Sequence, residues 1–195
     1  MKVIVINRKR VKITTIIIGL MIILFSAEKI FDGKLKFVAL VNSNLDELKQ
    51  YSALQDKFTY KLPEDWETKE TDFSSKDIIY HNDFNSKDQK IYGFVQVWKS
   101  QEDLKVFLDK SKEVSSKQNK ISNYDLQPIE INDNKGYVVH YSMKTPQNAS
   151  YMANEFFIDD GDSFIRFSFF VSEKNYKENM LSIFKGLVST FKYEK

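Results

Sequence analysis

The sequence predicts an α+β fold: an antiparallel sheet with helices on both faces, a three-layer αβα sandwich, preceded by an N-terminal transmembrane helix. Three observations lead there. An uncharged, strongly apolar stretch stands behind a basic cluster near the N-terminus. Short runs rich in aromatic and β-branched residues succeed one another from residue 58 to residue 172. Two stretches with helical apolar spacing interrupt and close that series. The 195 residues, 42% of them hydrophobic, suffice for one ordinary domain plus a small appendage.

The N-terminal segment comes first. Arg8 to Lys12 reads RKRVK, and Ile13 to Ala27 continues without a charge. As a helix these fifteen residues span about 22 Å, short of the roughly 30 Å hydrocarbon layer. Val11, Ile30 and Phe31 extend the apolar length, and Lys12 and Lys29 can snorkel to the headgroups. The positive-inside rule then keeps Met1 in the cytoplasm and exports the chain beyond Glu28. A cleaved signal peptide is the rival, but a cut after Ala27 or Ser26 puts Phe25 or Leu24 where a small residue is required. The expected organisation is a cytoplasmic basic tail (1–12), a transmembrane signal anchor (13–31), a stalk or covering helix (32–57) and an extracytoplasmic domain (58–195). The expected location is the cell membrane, single-pass.

Charge is ordinary beyond that segment. Five of the 29 basic residues lie in residues 1–27, which hold no acid, leaving 24 to face all 27 acidic residues, a net of −3. This balance removes the electrostatic argument for nucleic-acid binding, which calls for a basic face on the folded domain rather than a basic tail. No cysteine is present, which excludes disulfides, thiolate metal sites and a lipid-bearing cysteine.

In the remaining chain, Asn44 reads as the N-cap of a helix with Leu45, Leu48, Tyr51 and Leu54 on one side. Strands are expected near 58–62, 66–69, 78–81 and 91–99. Residues 102–117 then place Leu104, Phe107, Leu108 and Val114 on one helical face. Four more strands are expected at 124–132, 136–144, 151–159 and 163–172, with turn chemistry at Asp133 to Gly136 and at Asp160-Gly161. A final helix is expected from Tyr176 to Phe191. Both faces of the strand 91–98 are partly apolar: Ile91, Gly93, Val95 and Val97 alternate with Tyr92, Phe94, Gln96 and Trp98. The strand 163–172 behaves the same way, so cover is expected on both sides of the sheet.

Phe58 to Trp66, FTYKLPEDW, resembles the opening strand and LP-x-x-W turn of PsbP-like domains. The order of a helix after Ser100, a four-strand run and a final helix ending in Val188-Ser189-Thr190-Phe191 is similar to that family across roughly residues 58–192. The resemblance implies an αβα sandwich used as a binding or assembly module, often exported, with no shared catalytic residue set. The metal and partner residues of the plant members are not recognisable here. With Lys, Asn and Ile abundant, the anchored arrangement looks like the membrane-attached relatives of Gram-positive bacteria.

Candidate chemistry is sparse. His81, beside Asn82 and Asp83, and His140, inside YVVHY, have no spacing that brings them together, so both read as ordinary strand or surface residues. Asp159, Asp160 and Asp162 flank Gly161 in the pattern of a tight turn rather than of a Ca²⁺ loop. Asn148-Ala149-Ser150 matches a glycosylation sequon, a short pattern that recurs by chance. No cofactor is expected. The remaining candidates are the aromatics Trp66, Trp98, Tyr92, Phe94, Phe156 and Phe170, Trp98 first among them, which together with Arg166 could form a ligand or partner face.

Three function classes remain. The favoured one is a non-catalytic binding or assembly module, tethered so that it meets an envelope protein or a small ligand beside the membrane. An envelope-acting hydrolase would have to assemble His140, Glu155 and Arg166 on one sheet face. A secreted effector would require cleavage after the apolar stretch.

Overall fold

The computed structural model describes residues 47–73, 76–99 and 102–193. The basic tail, the anchor, residues 32–46 and the expected N-cap Asn44 lie outside the described residues. Among the described residues, no helix is long and apolar enough to cross a membrane.

The chain runs β1 (Leu48–Ala53), β2 (Phe58–Pro63), β3 (Glu67–Glu70), β4 (Ile78–Asn85), β5 (Ile91–Lys99), α1 (Leu104–Gln118), β6 (Lys120–Ile131), β7 (Asn134–Lys144), β8 (Ser150–Asp159) and β9 (Ser163–Ser172). A 3₁₀ turn at Glu173–Asn175, α2 (Met180–Val188) and β10 (Lys192–Tyr193) close it. The strands form two sheets, both antiparallel: seven strands in the order β3-β4-β5-β9-β8-β7-β6, and three in the order β1-β2-β10.

This corrects the predicted fold class. The protein is mostly β with two sheets, not an α+β three-layer αβα sandwich. One cause is β2, read from sequence as a strand of the single sheet. It leaves that sheet and pairs with β1 and β10 in a second one. The other is β1, which replaces the helix expected after Asn44. Leu48, Tyr51 and Leu54 have helical spacing. The chain nevertheless turns left-handed at three consecutive residues, Leu54, Gln55 and Asp56 (φ 52°, 58° and 67°), which no right-handed helix can cross. The hairpin they close registers Leu48 to Ala53 against Pro63 to Phe58.

Boundaries shift for local reasons. The Asp103 side chain caps α1, accepting from Lys105 N at 2.8 Å and Val106 N at 3.3 Å. β6 begins at Lys120, four residues early, because a bulge between Ser122 and Asp125, with Asn123 at φ 53°, lets the ladder continue past an irregular step. The β6–β7 turn takes its positive φ at Asn132 and Asp133, not at Gly136. The closing helix is short because Tyr176 is extended after the 3₁₀ turn and, past Ser189, the N–H groups of Thr190 and Phe191 bond three residues back, to Leu187 and Val188, ending the i−4 ladder before β10.

Two cores lie on opposite faces of the large sheet. On one face Phe84, Val95, Val97, Phe156, Phe167 and Phe169 meet Phe58, Tyr60 and Leu62 of the small sheet, Phe184, Leu187 and Val188 of α2, and Phe191. Phe169 and Phe184 stack at 4.3 Å. Each fully buried ring of this kind contributes roughly 1.5–3 kcal/mol. Tyr60, Tyr80 and Asn82 form a polar island there: Asn82 Nδ2 donates to Tyr60 Oη at 2.7 Å, and the two phenols share a bond at 2.9 Å. Burial pushes both phenols upward in pKa. On the other face Leu104 and Leu108 of α1 pack on Val139, Tyr141, Ala153, Phe157 and Phe164.

Gly93 sets how closely these strands approach. A Cβ there would overlap the Ser168 carbonyl oxygen and come within 2.7 Å of Cζ of Phe84, whose ring lies across it. Gly93→Ala is expected to destabilise the full-length chain by about 1–3 kcal/mol, through overpacking against rigid backbone. The urea midpoint measures it, and an unchanged midpoint would contradict the packing described.

Candidate binding face

Strand alternation and register place five of the sequence-predicted residues, Trp98, Tyr92, Phe94, Phe170 and Arg166, on one face, the one α1 packs against, whereas Trp66 and Phe156 are buried in the core of the other. Across β5 and β9, Tyr92 lies opposite Phe170, Phe94 opposite Ser168, Gln96 opposite Arg166 and Trp98 opposite Phe164. α1 covers only one end of that face, and the five residues divide accordingly.

Trp98 belongs to the covered end. Its ring stacks on Phe164 at 6.0 Å, contacts Phe107 of α1 at 5.5 Å and donates from Nε1 to Gln96 Oε1 at 2.8 Å. The open end carries a continuous band of rings. Tyr92 stacks on Phe170 at 5.2 Å and meets Tyr151 edge-on at 5.6 Å, and Phe94 lies 6.1 Å from Phe170. His81 continues the band, 5.5 Å from Phe94 and 4.5 Å from Phe73. Tyr92 keeps 37% of its surface exposed and Phe73 42%. Partial burial and the neighbouring Tyr151 push the Tyr92 hydroxyl up to about 12. Sequence reasoning missed Phe73, His81 and Tyr151. The parity of β4 and β8 carried a signal for the last two, but only with the register known; Phe73, outside any strand, carried none.

A polar cluster separates the two ends. Glu155 Oε2 accepts from Arg166 Nε at 2.6 Å, Arg166 Nη2 at 2.5 Å and Ser168 Oγ at 2.6 Å, while Oε1 accepts from Tyr141 Oη at 2.7 Å. The guanidinium lies over Phe94 at 5.0 Å and Phe157 at 5.4 Å. Burial alone would raise the Glu155 carboxyl. The Arg166 charge and the bonds from Ser168, Tyr141 and Arg166 outweigh it and hold the group below its ordinary value. Tyr141 is pushed upward by burial and by that carboxylate.

A slot of about 40 Å³ opens beside this cluster, between Lys112 and Leu108 of α1 and Tyr124 and Tyr141 of the sheet. It has room for a few waters, far below the roughly 300 Å³ of a small-molecule site. Two larger hollows, about 480 and 450 Å³, share Asp103, Leu104 and Asp159 at the start of α1 and include none of the predicted site residues.

His140 lies on the opposite face, its Nδ1 2.8 Å from Asn154 Oδ1 and its ring 5.9 Å from Tyr176. The trio His140, Glu155 and Arg166 therefore does not assemble. Asp159 to Ser163 form a hairpin turn, with Gly161 at φ 79° and its N–H donating to Asp159 Oδ1 at 3.0 Å. Among the described residues, no group of three or more His, Asp or Glu side chains is placed to hold a metal ion.

This arrangement of strands is a PsbP-like fold. It is similar to the solution structure of cyanobacterial PsbP (CyanoP) from Synechocystis sp. PCC 6803, with a TM-score of 0.56 and 15% identity over 75% of this chain and 92% of that one. A crystal structure from Bacteroides thetaiotaomicron VPI-5482 is also similar, with a TM-score of 0.52 and 12% identity over 75% of this chain and 48% of that one. At these identities the likeness is one of fold alone. No protein-family model matches the sequence, and no curated protein matches it. The resemblance seen in FTYKLPEDW thus holds for the fold, while the αβα layering inferred from it does not.

Glu155 makes stability depend on pH. Its folded pKa lies below its unfolded value, near 4.5, so its contribution is complete above that value and is lost as the pH falls through the lower folded one. Glu155→Gln should remove that acid limb. It should also lower stability at pH 7 by an amount near the lower end of about 3–5 kcal/mol, since Arg166 retains 23% exposure and partial hydration. Urea unfolding at a series of pH values measures both; an acid limb that persists in the variant would assign it to other groups.

Proposed function

We propose that this chain is a non-catalytic binding or assembly module, held at the outer side of the membrane by its N-terminal segment, that engages an envelope partner through the open aromatic end of its large sheet. The observation that carries the reading is Tyr92. It stands 37% exposed over stacked Phe170 on a face that α1 leaves partly uncovered. A large amphipathic ring on a rigid strand is the usual anchor of an interface. Phe170 is the floor beneath it, and Phe94 and then Arg166 continue the face toward the covered end. The resemblance to PsbP-like domains supports a module of this kind, and the basic cluster before the uncharged stretch Ile13 to Ala27 supports the location.

Position-specific cross-linking in intact cells tests it, with a photoreactive residue at Tyr92 and a control at Leu181 on α2, which is equally exposed on the other side. Discrete adducts at position 92 that are absent at 181 are expected. Identical patterns at both would remove the aromatic end as the binding face. An epitope fused at Lys195 should be digested by protease added outside the cells; protection until lysis would overturn the location.

A further inference from the structure

Four side chains form a hydrogen-bonded line across the face, independent of whatever the face binds. Trp98 Nε1 meets Gln96 Oε1 at 2.8 Å, Gln96 Nε2 meets His81 Nδ1 at 2.8 Å, and His81 Nε2 meets Asp83 Oδ1 at 2.8 Å. The proton positions derive from one fact: an indole N–H can only donate. Gln96 must therefore turn its carbonyl oxygen to Trp98 and its NH₂ to His81. His81 Nδ1 must then accept, which leaves its proton on Nε2, donated to Asp83. The neutral imidazole satisfies every member of the chain.

A second proton on the imidazole cannot be absorbed. It would sit on Nδ1 and face the Gln96 NH₂, donor against donor. If the Gln96 amide turns over to offer its oxygen, its NH₂ then faces the indole N–H and the conflict moves one step along. Since Trp98 has no acceptor, one bond of the chain is lost in either case. Relative strength decides which. A bond from a charged imidazolium to the amide oxygen is roughly twice as strong as the neutral bond from the indole, so the Trp98 bond gives way.

We propose that His81 is a proton-sensing position: its protonation turns the Gln96 amide and releases the Trp98 indole N–H, relaying acidification from the open aromatic band to the contact between β5 and α1. Geometry supplies both ends of the relay. The His81 ring, 6% exposed, is held between Phe73 and Phe94, and Trp98 packs on Phe107 of α1. The charged groups around His81 act in both directions. Asp83, in contact and half exposed, attracts the second proton; Lys69, paired with Asp83 across β3 and β4, and Arg166, over Phe94, oppose it; Asp72 adjoins Phe73. Imidazole alone among ordinary side chains changes charge between pH 5 and 8.

The chain has two tryptophans, Trp66 and Trp98, so the full-length protein labelled with ¹⁵N-indole tryptophan in detergent micelles gives two indole N–H signals, assigned with Trp98→Phe. Between pH 8 and pH 5 the Trp98 signal is expected to shift with the same midpoint as the His81 ring protons, while the Trp66 signal stays in place. In Gln96→Leu the imidazole should still titrate while the Trp98 signal no longer responds, and in His81→Gln the Trp98 shift should be absent. General acid loosening would move both indoles together and survive either substitution. The proposal is overturned by a Trp98 signal that stays still while His81 titrates, by a His81 ring that remains neutral down to pH 5, or by a Trp98 shift that persists in either variant.

Discussion

The antiparallel pairing of β5 with β9, from Ile91 opposite Val171 to Lys99 opposite Ser163, is the contact on which both layers depend. From Ile91 to Val97 and from Ile165 to Val171 each strand carries no polar side chain on one face and is mixed on the other. A slip of one residue would turn Arg166 and Ser168 into the core that now holds Phe167 and Phe169. The small sheet, α2 and Phe191 seal the apolar side. That seal fixes which residues point the other way, and the candidate binding face is a consequence of it.

The mixed side is a face on which polar side chains are buried only because they find one another laterally. Gln96 and Arg166 are opposite each other across β5 and β9, with His81 on one flank and Glu155 on the other. These residues form a transverse polar row, hydrogen-bonded in its own two segments, Trp98-Gln96-His81-Asp83 and Arg166-Glu155-Ser168-Tyr141. The first has its polar atoms satisfied by one another, and the second holds a carboxylate with four donors. Such networks rigidify a core when complete. Here the row also divides the face, with Leu104, Leu108 and Phe107 covering the rings on one side and leaving those on the other open.

Much of this was legible in the sequence, and the misses share a cause. Runs of aromatic and β-branched residues bounded by turns marked β5, β7, β8 and β9 closely, and period-two alternation in β5 and β9 placed Tyr92, Phe94, Trp98, Arg166 and Phe170 on matching parities. Alternation within a strand, however, says nothing of which strand lies beside it. Tyr151 and His81 joined the aromatic band only through register, and His140 was grouped with Glu155 although its partner across β7 and β8 is Asn154, on the other face. Leu48, Tyr51 and Leu54 have the spacing of a helix one turn apart, and only the left-handed turn after Ala53 reveals a strand. The layer count failed for the same reason: β2 looks like any other strand, and its membership of a second sheet is a property of β1 and β10.

The two outer strands of the large sheet differ in length and share a defect. β3 has four residues, three of them charged, and β6 carries a bulge near Asn123 and a proline at position 128, which has no N–H to give. Neither margin offers an uninterrupted run of main-chain donors and acceptors to a passing extended segment. The sheet therefore terminates itself on both sides. A partner meeting this sheet would have to do so through side chains on its faces, where ring geometry and charge, rather than backbone hydrogen bonds that any polypeptide could supply, would set the choice.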